Sequence, residues 1–153
     1  MFDTVGGLPV HPLTVHAVVV LLPLAALSTI AIALRPSWRR HARLLVLFNA
    51  LVALAAVVAK QSGEKLLARV TQLSPASDTL NTHTQWGSRL VQLAVALVVM
   101  ALLITISSWV PALGRVVAVA AVLVAVGTLA LTVVVGDTGA QTVWKSIIDN
   151  TKG

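Results

Sequence analysis

Four long apolar runs, at residues 13–34, 44–59, 90–110 and 116–135, leave this chain few folds to choose from. Crossing ~30 Å of hydrocarbon at a rise of ~1.5 Å per residue takes an α-helix of ~20 apolar residues, and three of the runs are close to that length. The second is shorter. It reaches spanning length if its helix continues through Lys60, Gly63, Glu64 and Lys65 towards Leu73, with Lys60 stretching its ammonium to the interface. A segment in lipid must satisfy its own backbone, which allows a helix or a closed barrel, and runs this long exclude barrel strands of about ten residues. The expected fold is all-α: a polytopic membrane protein, a four-transmembrane-helix bundle. It forms one domain over residues 1–153, with spans at about 13–34, 44–62, 88–110 and 116–135.

Composition supports lipid as the solvent. The 153 residues are 58% hydrophobic and only 10% charged, whereas a soluble domain carries about a quarter charged residues. A chain of this size cannot bury several all-apolar helices inside itself, because too much of it is surface. The net charge of +6 does not point to nucleic acid, since the basic residues fall in the gaps between runs and form no stripe with aromatics. With no cysteine, thiolate and disulfide chemistry is excluded, and a bound metal would need nitrogen or oxygen ligands. Residues 1–7 show neither a basic n-region nor a small-residue cleavage pattern, so the first span is expected to remain in the mature protein.

The connections set the topology. The segments after the first and third runs, Arg35-Pro36-Ser37-Trp38-Arg39-Arg40-His41-Ala42-Arg43 and Pro111-Ala112-Leu113-Gly114-Arg115, are short, dense in arginine and free of acid. Asp3, Glu64, Asp78, Asp137 and Asp149 all fall on the opposite side. The positive-inside tendency then puts the arginine turns in the cytoplasm and both termini outside, in a multi-pass cell-membrane protein. Trp38 and Trp109 flank one interface, Trp86 and Trp144 the other.

Chemistry-bearing residues gather on the side away from the arginines. His11 and His16 open the first span and His83 precedes the third, so all three imidazoles belong to one membrane face; Glu64 and Asp137 arrive there after spans two and four. His16 lies within the apolar run, roughly one turn deep, and an ionisable group there needs a partner, for which His83 is the candidate. Two neutral imidazoles on different helices are axial ligands for haem b, with His11 in support, Lys60 or Arg89 near the propionates, and Gly87 leaving room for a flat ring. Alternatively, His11, His16 and His83 with Glu64 or Asp137 make a nitrogen and oxygen set for a transition metal, whether copper, zinc or iron.

Blander roles compete with these. A histidine can cap a helix or sit among headgroups, which suits His11 alone and His41 among its arginines. Glu64 can pair with Lys60 one turn earlier, and Asp137, in Gly136-Asp137-Thr138-Gly139, can shape a turn where span four ends. Sequence signatures of nucleotide or hydrolase enzymes are missing, which argues against an enzyme, and the spans lack the interruptions of a transporter.

The segments Gly7-Leu8-Pro9-Val10-His11-Pro12-Leu13-Thr14-Val15-His16, His83-Thr84-Gln85-Trp86-Gly87 and Gly136-Asp137-Thr138-Gly139-Ala140-Gln141-Thr142-Val143-Trp144 together resemble the domain-of-unknown-function 2231 family of bacterial membrane proteins. The resemblance covers nearly the whole chain. It implies a four-helix membrane fold, and, because such domains occur joined to Rieske-type iron–sulfur domains, electron transfer with a Rieske-type redox partner or a respiratory complex. The sequence thus leaves two functions open: a haem- or metal-binding electron-transfer protein, and a non-catalytic accessory subunit of a larger membrane complex. The orientation is tested by a reporter fused after Gly153. It should be active only outside the cytoplasm, and cytoplasmic activity would reverse the topology.

Overall fold

The computed structural model describes residues 4–5, 8–73, 75–107 and 111–151. Two two-residue strands, β1 (Thr4–Val5) and β2 (Leu8–Pro9), pair antiparallel ahead of four helices: α1 (Val10–Leu34), α2 (Ala42–Val70), α3 (Asp78–Ser107) and α4 (Pro111–Thr151). All four helices are long and apolar enough to cross a membrane. Each packs against the next, α4 closes the ring against α1, and α1 and α3 face each other across the diagonal.

Local chemistry sets several helix boundaries. Proline at 36 disfavours helical geometry in the residue before it, and Arg35 is extended (φ −113°, ψ 98°), so α1 stops at Leu34. The chain then makes a 3-10 turn over Pro36–His41 and turns directly into α2. At the other end of the bundle, Ser77 Oγ accepts the Leu80 N–H at 3.2 Å and Asp78 places a carboxylate in the first turn of α3, both favourable at a helix N-terminus. Pro111 opens α4, where its missing N–H costs nothing.

Two helices exceed their apolar runs. α2 does continue through Lys60, Gly63, Glu64 and Lys65. α4 runs unbroken for 41 residues, about 60 Å, so the expected turn at Gly136-Asp137-Thr138-Gly139 is not formed. There Thr138 Oγ1 donates back to the Val134 carbonyl at 2.9 Å, and the two glycines are carried inside the helix.

The interior is built mainly from small residues. Ala25, Ala26, Ala53, Ala56, Ala59, Ala94 and Ala125 join Val18, Leu22, Val52, Leu90 and Leu97 in the half nearer the histidines, and Ala33, Ala42, Ala101 and Ala121 do the same nearer the arginines. Many large aliphatics, among them Leu24, Leu27, Leu47, Leu51, Leu54 and Leu123, point outwards instead. Such a surface is stable only against hydrocarbon, and alanine interfaces let the helix backbones approach closely. Ala121 and Ala125, four residues apart on α4, are fully buried. Trp38 marks the arginine end and Trp86 and Trp144 the histidine end; Trp109, Asp3 and Lys152 lie outside the described residues.

One polar node crosses this core. Asn49 of α2, 1% exposed, donates through Nδ2 to Thr29 Oγ1 of α1 at 3.1 Å and to the Leu97 carbonyl of α3 at 3.0 Å. Thr29 passes its own proton to the Ala25 carbonyl at 2.8 Å, so it is free to accept. In a double-mutant cycle of Asn49→Ala and Thr29→Val, thermal unfolding in detergent should show a coupling of about 0.6–1.7 kcal/mol, the range of interhelical hydrogen bonds in membranes. Strict additivity would show that the Asn49–Thr29 bond contributes no stability.

Candidate functional site

At the histidine end of the bundle every helix contributes to one layer: His11 of α1, Gly63 of α2, His83 of α3, and Thr138 and Gly139 of α4. His83 on α3 lies 24 residues from Ser107, about 36 Å along the helix, which puts it at the interface opposite the arginine turns. His11 lies in the first turn of α1 and is half-buried, because the helix already begins at Val10 and directs that side chain towards α2 rather than leaving it as a solvated cap.

Each ring is fixed by a neighbouring helix. His11 Nδ1 is 2.8 Å from the Ala59 carbonyl of α2. A carbonyl can only accept, so Nδ1 carries the proton and, in the neutral ring, Nε2 carries the lone pair. His83 Nδ1 is 3.3 Å from Thr138 Oγ1 of α4. The Thr138 proton is already given to the Val134 and Val135 carbonyls, so the hydroxyl accepts from His83 and the same tautomer results. The two rings approach from diagonally opposite helices, with centroids 6.5 Å apart and planes at 78°.

Two glycines make this possible. A Cβ on Gly63 of α2 would lie 2.8 Å from His11 Cε1, and one on Gly139 of α4 would lie 3.0 Å from His83 Cε1. An interior glycine costs a helix roughly 0.5–1 kcal/mol relative to alanine; at these positions it supplies the space in which the imidazoles sit. Gly87, expected to clear room for a ring, faces open space: an added Cβ there would meet no heavy atom within 4 Å.

The other sequence candidates are placed apart from the pair. His16 is exposed on the outer face of α1, with Nδ1 on the Pro12 carbonyl one turn back, so the expected approach of His16 to His83 is not made. The reason is helical phase: at ~100° per residue, His11 and His16 differ by five residues and point in different directions. Glu64 forms an exposed ion pair with Lys60, the simpler of its two expected roles. Asp137 is exposed and accepts from Gln141 Nε2 at 2.8 Å along its own helix. Arg89 stacks over the Trp86 ring at 4.5 Å. Among the described residues, no three histidine, aspartate or glutamate side chains gather as a metal-ligand group.

The family described as "Predicted membrane protein (DUF2231)" matches residues 7–152. The chain belongs to this family. Comparison with curated proteins and with solved structures finds no match. The DUF2231 match takes in both members of the histidine pair and both glycines behind them. Sequence reasoning placed His11 and His83 at one face but missed Gly63, Thr138 and Gly139, although a glycine inside a helix was the available signal.

The glycine role is testable. Gly63→Ala should destabilise the protein by about 1–3 kcal/mol, the usual cost of overpacking, because His11 is held by Ala59 and cannot simply swing away. Gly87→Ala should instead be neutral or stabilising by up to about 1 kcal/mol. Thermal unfolding of both variants in the same detergent measures this, and equal midpoints would remove Gly63 from the site.

Proposed function

We propose that this integral membrane protein holds a transition-metal centre between His11 and His83 and serves electron transfer at the histidine end of the bundle. The observation that carries this reading is the tautomer of the pair. Both rings give Nδ1–H to an acceptor on another helix, which is the outer-shell arrangement that orients metal-binding histidines, and both keep Nε2 as the basic nitrogen.

The two rings also share one layer, with centroids 6.5 Å apart, near enough for one ion to draw on both. The number of ligands favours haem b over a bare ion: two imidazoles complete the protein's share of a bis-histidine haem, whereas a structural zinc site takes four protein ligands. Copper or non-haem iron would require further donors. His16 is turned outwards onto the Pro12 carbonyl, and Glu64 and Asp137 are engaged by Lys60 and Gln141.

The accessory-subunit reading draws on a different feature. Beyond the apolar run, α4 carries Val143, Trp144, Ile147 and Ile148, all exposed and close together on the helix, as a segment packed against a larger complex would. One set of measurements separates the two. The purified protein should show a Soret band that changes on reduction, with iron near one per chain. His11→Ala and His83→Ala should each lose it while still inserting, and His16→Ala should retain it. A colourless, metal-free protein from iron- and haem-replete cells would favour the accessory role, and retention in both His11→Ala and His83→Ala would end the proposed assignment.

A further inference from the structure

The arginine end carries a groove that the histidine site does not involve. It has a volume of about 320 Å³ and is lined by Ser28, Ala31 and Ile32 of α1 and by Trp38 and His41 of the 3-10 turn. A 3-10 helix has three residues per turn, so side chains three apart eclipse one another. Within the turn, Trp38 and His41 therefore share one edge, beside α1. The Arg35 guanidinium lies 4.9 Å from the Trp38 ring centroid.

Charge and depth add to this. Arg35, Arg39, Arg40, Arg43 and Arg115 share this end of the bundle, while the acids among the described residues, Glu64, Asp78, Asp137 and Asp149, lie beyond the opposite ends of the spans. Arg39 turns inwards, with Nη2 3.4 Å from the Gly114 carbonyl, but Arg35 and His41 are exposed beside the groove. The groove runs along α1 from Ile32 to Ser28, within the apolar span, and Arg35 stands over its Trp38 wall. Its top lies beside the Arg35 guanidinium at headgroup level, its wall is an indole suited to the interface, and its floor is Ser28, Ala31 and the buried Ile32. A free anion would use only the first of these features. A phospholipid uses all three.

We propose that the groove between α1 and the 3-10 turn binds one anionic phospholipid, with its phosphate between Arg35 and His41 and an acyl chain along Ser28, Ala31 and Ile32. Trp38 separates the two parts, at the level of the glycerol esters. Arg40, elsewhere on the turn, and Arg43, in the first turn of α2, do not line the groove and attract anionic lipid only through the general field of the arginine end.

Native mass spectrometry of the detergent-purified protein, titrated with phosphatidylglycerol, phosphatidylcholine or glycerol 3-phosphate, tests this. One phosphatidylglycerol should bind per chain before any further lipid, more tightly than phosphatidylcholine, and glycerol 3-phosphate should not compete. Arg35→Gln should weaken phosphatidylglycerol binding by about fivefold, and Ala31→Leu should weaken it by narrowing the groove without changing charge. The Arg40→Gln/Arg43→Gln double variant should leave the first binding step intact. Equal binding of the two lipids, competition by glycerol 3-phosphate, an equal loss in the Arg40→Gln/Arg43→Gln variant, or no effect of either Arg35→Gln or Ala31→Leu would each overturn the site.

Discussion

The peptide group decides this architecture. In hydrocarbon an unpaired backbone N–H or C=O costs several kcal/mol, so each span must complete its hydrogen bonds within itself. Once the spans are helices, lipid satisfies their large aliphatic side chains as well as a protein core could. The usual hydrophobic drive to pack leucine against leucine is gone, and close approach of backbones takes its place. That is why alanines fill the interior while leucines such as Leu24, Leu47 and Leu123 face outwards.

An alanine-lined bundle has little shape to fix its register. The Asn49 node supplies one specific constraint, linking α2 to Thr29 of α1 and to the Leu97 carbonyl of α3 within a layer that has no water to compete. The histidine layer supplies a second, tying α1 to α2 through His11 and α3 to α4 through His83. These polar links join three of the four neighbouring helix pairs. The closing pair, α1 with α4, depends on apolar packing such as that of Ala25 and Ala125 in the shared core.

The two ends of the bundle have diverged in chemistry. At one, two imidazoles are held with their basic nitrogens defined and with glycines behind them. At the other, arginines without nearby acids surround a lipid-facing groove. The arginine end holds bases and, among the described residues, no acid; acids at the far interface cannot neutralise it across ~30 Å of hydrocarbon, so it meets its partners in the headgroups or in solvent.

How much of this could be read from the chain varies with the kind of information involved. Run length and composition suffice for four membrane helices, because spanning is a property of each segment alone. The same holds for the face on which each histidine falls, which depends only on counting spans, and for the Lys60–Glu64 pair, which is local to one helix. The partner of each histidine is different. His16 looked more informative than His11 because it lies deeper in the apolar run, yet helical phase turns it out of the bundle and turns His11 in. The run of apolar residues also ended at Val135, although α4 continues through Gly136 and Gly139, because packing against α3, where His83 meets Thr138, outweighs the weak helix preference of glycine. By itself, the sequence determined that this chain crosses a membrane four times and which residues share each interface. Only the tertiary structure decided that His11 meets His83, because rotational phase and the close approach of Gly63 and Gly139 are properties of helices packed together, not of any one segment.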